Sequence, residues 1–261
     1  MPDSMLPALI DTHCHLDAGE FDADRDEVVE RTVASGVTRI IVPAVTADNF
    51  AAVNEICARY PLCRPALGLH PIYAQQHQQD DLSRLRAAVA ETHPVAIGEI
   101  GLDLFVTDVD VTRQTYFFAE QLKIARDFDL PVLLHTRHAN DEIMKQLRRF
   151  DIRRGIAHAF NGSMQQAERF IQQGFKLGFG GAFTYTRASN LRRLAAQLPL
   201  EAIVLETDAP DMSPVWAHRQ RNSPEYLAQI AAELAALRGV DVATIAQVTG
   251  NNVRAIFGER I

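Results

Sequence analysis

Short apolar runs recur along the whole chain, separated by stretches in which apolar residues fall three and four positions apart. The runs predict strands at Ala8–Thr12, Arg39–Val45, Arg64–Leu69, Val95–Glu99, Val132–His135, Gly155–His158, Phe175–Phe179 and Ile203–Glu206. The spaced patterns predict helices at Asp26–Ser35, Asn49–Tyr60, Leu82–Thr92, Thr112–Phe128, Asp141–Phe150, Gln165–Gln173 and Leu191–Leu198, with two more near Pro224–Leu237 and Val242–Phe257. Ser163 and Ser189 precede helical patterns and read as N-caps. Gly36 and Gly174 follow such patterns and suit left-handed C-terminal positions. Pro131 stands at the start of a strand, where its missing N–H does least harm.

Strictly alternating strands and helices predict an α/β fold with a parallel sheet covered by helices. Eight such units, joined by right-handed crossovers, favour closure into a (β/α)8 or TIM barrel. The length of 261 residues agrees, since such barrels run to roughly 250. No repeat, low-complexity tract or linker interrupts the pattern, so one domain over residues 1–261 is expected. An open doubly wound sheet would carry a glycine-rich phosphate loop after an early strand. Neither GxGxxG nor GxxxxGK[ST] occurs.

Composition narrows the function classes. The net charge of −7 disfavours a broad basic surface for duplex nucleic acid. It leaves a phosphate substrate open, because bound divalent metals add positive charge that formal counting omits. No stretch approaches the roughly 20 apolar residues of a membrane span, and the N-terminus lacks the basic and apolar regions of a signal peptide. Three cysteines, Cys14, Cys57 and Cys63, without a tight CxxC, point away from a disulfide framework and toward a reducing cytoplasm.

Candidate chemistry collects where strands end. The first strand ends in Asp11-Thr12-His13-Cys14-His15, the fourth in Gly98-Glu99-Ile100-Gly101-Leu102-Asp103, the fifth in His135-Thr136-Arg137, the sixth in His158, and the eighth in Glu206-Thr207-Asp208. In a barrel these ends meet at one mouth. Strand alternation puts His13 and His15 on one side, able to chelate a metal, and turns Cys14 away. Two histidines in a polar loop are the bland alternative. Glu99 follows an apolar run, where a carboxylate is costly unless paired or metal-bound. Its two oxygens make it a natural bridge between two metals, and a salt bridge to arginine is its plainer role. His135 and His158 end strands on the same mouth, and together they read as ligands rather than core histidines. Asp208 is a ligand or a proton acceptor beside a metal-bound water, or else a turn residue before Pro210. Asp11 and Glu206 read as acceptors that orient imidazoles or hold arginine. His77, His93, His138 and His218 have surface-like contexts, and Trp216 and Tyr185 either stack a base or pack a loop.

The segments IDTHCHLD, ALGLHP, AIGEIGLD, LPVLLHTR, AHAFNGS and LPLEAIVLETDAP, taken in order, resemble the TatD family of metal-dependent deoxyribonucleases, and more narrowly its YjjV-like branch. The resemblance runs from about Ile10 to Phe257. It implies an amidohydrolase-type barrel with two divalent ions, Mg²⁺, Mn²⁺ or Zn²⁺. It implies that His13, His15 and Asp208 hold one ion and His135 and His158 the other, with Glu99 bridging. It also implies that His70 lies beside the site and meets substrate phosphate, with Arg137 a further phosphate contact. Three stretches depart from the family pattern: His158-Ala159-Phe160-Asn161-Gly162 in place of HCFSG, GLDLF in place of GLDYY, and His218–Pro224 in place of RGKxNxP.

The expected reaction is 3′-exonuclease-like phosphodiester hydrolysis on single-stranded DNA by a metal-activated water, with Asp208 and Glu99 as the catalytic carboxylates. Ester, amide or aminoacyl-RNA hydrolysis on the same barrel is the alternative. A non-enzymatic binding protein would have lost ligands, and all six are present. No membrane and no obligatory protein partner are expected. Because imidazole must be neutral to bind metal, activity is expected to collapse below the ordinary histidine pKa of about 6.5.

Overall fold

The computed structural model describes residues 8–107 and 110–261. Eight strands, β1 (Leu9–Asp11), β2 (Val37–Pro43), β3 (Cys63–Leu67), β4 (Ala96–Asp103), β5 (Val132–Arg137), β6 (Gly155–Ala157), β7 (Phe175–Phe179) and β8 (Ile203–Leu205), lie side by side in chain order. Every neighbouring pair is parallel. The seam between β8 and β1 is drawn shut by hydrogen bonds. The Thr12 amide and hydroxyl each donate to the Leu205 carbonyl at 3.0 Å. Beside them the Thr207 amide and hydroxyl donate to the Asp11 carboxylate at 3.0 and 2.6 Å. The result is a (β/α)8 barrel.

The strands are connected by α1 (Arg25–Ala34), α2 (Phe50–Arg59), α3 (Gln79–Thr92), α4 (Val111–Asp127), α5 (Asn140–Arg149), α6 (Met164–Gln172) and α7 (Ser189–Gln197). After β8 come α8 (Leu227–Arg238) and α9 (Val242–Phe257). Among the described residues no helix is long and apolar enough to cross a membrane.

Several helix ends follow local chemistry, and one predicted cap does not form. Ser163 Oγ accepts from the Gln166 amide at 3.1 Å and caps α6 as its sequence predicts. Ser189 does not cap: it is the first residue of α7, and Ala188 holds the cap position without a side-chain bond. Gly36 and Gly174 have φ of 94° and 96°, the left-handed conformation that ends α1 and α6. Helix α3 starts earlier than its apolar spacing predicts, because Asp81 Oδ2 accepts from the Gln78 amide at 2.8 Å over a polar first turn.

The inward face of the barrel has two layers. Leu133, Ile156 and Val204 share strand parity with His135, His158 and Glu206. They pack into one apolar cluster with Val253, Ile256 and Phe257 of α9. The last helix therefore plugs the floor, and Asn252 holds it there by donating to the Leu200 and Ile203 carbonyls at 2.8 and 2.7 Å. One layer up the inward side chains turn polar, and that layer is the mouth. Cys14 faces the other way and is buried in the layer between strands and helices.

Candidate metal centre

A break in the β4 ladder delivers Glu99 to the mouth. Ile97 pairs with Val132, but Ile100 pairs with Leu134, so β4 spends one residue more than β5 between them. Ala96 packs into the floor cluster, while Ile97, Ile100 and Leu102 all pack outward. Without the extra residue Glu99 would share the outward parity of Ile97; the bulge re-aims it inward, together with Gly101 and Asp103. At Gly101 (φ 148°) the two strands come so close that a Cβ would lie 2.1 Å from the His135 carbonyl oxygen.

The two Glu99 oxygens face different neighbours. Oε2 lies 3.1 Å from His13 Nε2 and 3.8 Å from His15 Nε2. Oε1 lies 2.8 Å from His135 Nδ1 and 3.3 Å from His70 Nε2. On the first side His13 and His15 bring their Nε2 atoms within 3.3 Å, and Asp208 Oδ1 is 3.7 and 3.8 Å from them. His158 stacks on His13 with ring centroids 3.6 Å apart, and its Nε2 is 3.6 Å from Asp208 Oδ1. On the second side His70 Nε2 and His135 Nδ1 are 3.1 Å apart.

Among the described residues three groups could thus hold a cation: His13, His15 and Asp208; His13, Glu99 and His158; and His70, Glu99 and His135. All six side chains expected as ligands meet at this one mouth, but in a different partition. His158 falls beside His13 rather than beside His135. His70, expected at the margin, sits among the donors and closes the second group. Arg137 is farther out, 3.9 Å from Asp103 Oδ2 and over the ring of Phe105.

Backbone contacts hold the first group in place. The Asp208 amide donates to the His13 carbonyl at 2.8 Å, and the His15 amide to the Ala209 carbonyl at 2.8 Å. Asp208 itself is left-handed (φ 59°), which aspartate tolerates better than most residues. Glu206 supports His158: its Oε1 accepts from the Ala159 amide at 2.6 Å and lies 3.1 Å from His158 Nδ1. Asp11 does not orient an imidazole as expected. Its carboxylate is spent on Thr207 and the His13 amide, across the barrel seam. Asp103, a strand-end residue to which the sequence assigns no role, joins the site; its Oδ2 lies 3.1 Å from His135 Nε2. The available signal was parity, since Glu99, Gly101 and Asp103 alternate along one strand. His77, read as a surface residue, is buried and contacts the His70 carbonyl at 2.9 Å through Nε2. His138 and His218 are exposed, His218 beside Tyr185 at 3.1 Å.

Glu206 needs the space that Gly178 leaves. A Cβ at position 178 would lie 2.1 Å from Glu206 Oε2, and Glu206 is buried and cannot swing away. Gly178→Ala is expected to displace Glu206 from His158, weakening metal binding about 10–100-fold and stability by about 1–3 kcal/mol. Metal titration with a denaturant melt checks both; unaltered metal affinity would refute Glu206 as the support of His158.

The charges in the mouth explain why it suits a cation. Burial would push the Glu99 carboxyl up, but His70, His13 and His135 around it hold it well below the usual range. Burial pushes Asp208 up to about 6, against His158 and His15. Burial keeps His13 and His70 low, so both are neutral donors near pH 7. Burial also opposes charge on His135 and His158, but the carboxylates win. Asp103 and Glu99 push His135 up to about 9, and Glu206 and Asp208 push His158 up to about 10. Imidazole nitrogens and carboxylate oxygens thus crowd together, His135 and His158 hold protons that a metal would displace, and His13 Nδ1 is buried without a partner. Nitrogen and oxygen donors so arranged fit divalent ions such as Zn²⁺, Mn²⁺ or Mg²⁺.

The donors floor a cavity of about 930 Å³. Its walls add Asp17, Glu20 and Asp211, against the guanidinium of Arg137.

A parallel barrel that gathers histidine and carboxylate donors at the C-terminal ends of its strands defines a metal-dependent hydrolase. The family described as TatD related DNase matches residues 10–258, and the chain belongs to the TatD family. It is similar to YjjV of Escherichia coli K12, named an uncharacterized metal-dependent hydrolase, with 45% identity over 257 residues, 97% of this chain and 99% of that protein. The crystal structure of YjjV, described as a TatD homolog, superposes with a TM-score of 0.93 at 44% identity, covering 97% of this chain and 99% of that one. The 3′-5′ ssDNA/RNA exonuclease TatD of Escherichia fergusonii is 30% identical over 258 residues, 96% of this chain and 99% of its own.

Proposed function

We propose that the protein is a two-metal phosphodiesterase that removes nucleotides from the 3′ end of single-stranded DNA. The observation that carries this reading is Glu99, whose two oxygens face two separate sets of imidazoles. His13, His15, His158 and Asp208 would hold one divalent ion, His70 and His135 the other, with Glu99 shared. Mg²⁺, Mn²⁺ and Zn²⁺ all suit the donors. Bound there, the ions supply Lewis acidity and lower the pKa of water.

The chain's own groups do the rest. Asp208, whose Oδ1 lies 3.6–3.8 Å from the nitrogens of His13, His15 and His158, is placed to accept the water proton. Arg137 neutralises a phosphate oxygen at the rim. The acidic walls repel a bare phosphodiester, so substrate binding itself requires loaded metal. A cavity of this size admits a strand end and offers nothing like the long row of cations a duplex footprint needs. The exonuclease named among the relatives supports the same substrate class. The three free cysteines suit a reducing cytoplasm.

The test is a 5′-labelled single strand incubated with protein and Mg²⁺, Mn²⁺ or Zn²⁺, alongside duplex DNA, RNA and a panel of esters and amides. The expected result is a ladder shortening from the 3′ end, abolished by EDTA and reduced about 10²–10⁴-fold in Asp208→Asn. Turnover of an ester or amide with the DNA left intact would overturn the proposal.

A further inference from the structure

The rim of the mouth carries an aromatic ring that the hydrolytic machinery does not use. Phe105 lies two residues past the end of β4, lines the cavity and is 53% exposed. Burying a phenyl ring is among the larger favourable contributions a side chain makes to a core, yet this one is held out of it. Its position is set from three directions. The Phe105 amide donates to Asp103 Oδ1 at 3.0 Å, tying the turn after β4 to a residue that also touches His135. The Arg137 guanidinium lies 4.0 Å from the ring centroid. The His138 ring meets the phenyl ring edge-on, with centroids 5.1 Å apart at 82°.

The strand register explains the Arg137 contact. Asp103 pairs with Arg137, and the Leu104 amide donates to the Arg137 carbonyl at 2.9 Å, so the last residues of β4 and β5 rise to the rim together. A cation seated on one face of the ring immobilises it. With Arg137 over the ring, the residue is still half exposed and lines the cavity. Ile72, Tyr73 and Met212 are also exposed large apolar side chains on this lining. The mouth therefore combines a charged floor with large apolar side chains set among its acidic walls. A ligand that matches both carries an anionic group at one end and a flat apolar group a short distance away.

We infer that Phe105, backed by Arg137, is the stacking platform for the nucleobase next to the scissile phosphate, an assignment that rests on the phosphodiesterase reading above. A stacked base brings its phosphate toward Arg137 and the donor layer. Every base has a flat face, so the platform grips a strand end without reading its sequence. An unpaired end exposes that face, whereas a base inside a duplex does not. The platform therefore selects single strands.

The experiment uses metal-loaded protein and two single-stranded oligonucleotides, identical except that one carries an abasic terminal residue. Wild type is expected to show about a tenfold higher KM on the abasic strand. Phe105→Ala is expected to raise KM about tenfold on the intact strand, with the effect in KM rather than kcat, and to lose discrimination between the two strands. Phe105→Tyr, which keeps the ring, should restore it. An alanine variant that still discriminates like wild type would overturn the platform. Saturation-transfer NMR with dAMP separates this failure from failure of the hydrolytic reading. Saturation of the base protons that disappears in Phe105→Ala supports the platform even if no oligonucleotide is cut; equal saturation in both proteins overturns it.

Discussion

Glu99→Ala is expected to empty both metal positions together and to lower hydrolysis by about 10³-fold. The reason is geometric. Oε2 is directed at the His13 and His15 side, Oε1 at the His70 and His135 side, and one carboxylate serves both. Losing an ordinary ligand would weaken one ion and leave the other. Losing Glu99 removes a negative charge from both sets of imidazoles at once. Glu99→Gln keeps the shape of the side chain and loses its charge, so it separates coordination from packing, and it should resemble alanine in metal content. Elemental analysis of protein reconstituted and then desalted is the measurement. One ion retained at full occupancy in the alanine variant would show two independent sites and end the shared-carboxylate account.

The metal-free protein should lose thermal stability as pH rises, while the metal-loaded protein should not. In the fold His135 titrates near 9 and His158 near 10, both above the ordinary value of 6.5. A group whose pKa is raised by folding contributes stability that is complete below its unfolded pKa and lost as pH climbs through the folded one. For these two histidines the loss falls between about pH 6.5 and 10. Asp11, raised by burial from 3.8 to about 7, acts in the same direction at lower pH. A drop of about 10 °C in Tm between pH 6.5 and 9.5 is a reasonable scale for a chain of this size, corresponding to about 3 kcal/mol. Metal reverses the trend, because each proton that leaves an imidazole frees a ligand atom. The two melting curves should therefore diverge as pH rises, and metal uptake at pH 7 should release protons to the medium. It follows that activity falls off at a higher pH than the ordinary histidine value predicts, since protons on His135 and His158 compete with the metal. Thermal melts of EDTA-treated and reloaded protein across this range decide the matter; a metal-free Tm that increases from pH 7 to 9 would contradict it.

Both results depend on contacts that differ in how openly the chain displays them. The eight strands were legible because each is a short apolar run with polar ends, a signal contained within a few residues. So were most helices and the Ser163 cap. The donors were legible because His13, Glu99, His135, His158 and Asp208 each follow such a run, and strand ends in a barrel converge. Where the reading erred, the deciding contact was distant in sequence. Ser189 is the local exception: α7 starts at Ser189 itself, so Ala188 holds the cap position. His77 sits among polar neighbours, yet it is buried against the His70 carbonyl and beside Phe117 of α4.

The amino-acid sequence alone determined the order of elements and which candidate side chains stand at the strand ends, since alternation along a strand is a local steric property of the backbone. Tertiary structure decided which donors face one another. The bulge that turns Glu99 inward exists only in the pairing of β4 with β5, and the placement of His158 against His13 rather than His135 follows from the stagger of strands around the barrel. The seating of Arg137 on Phe105 has the same origin. Each depends on register between segments brought together only when the sheet closes, and no local pattern carries that information.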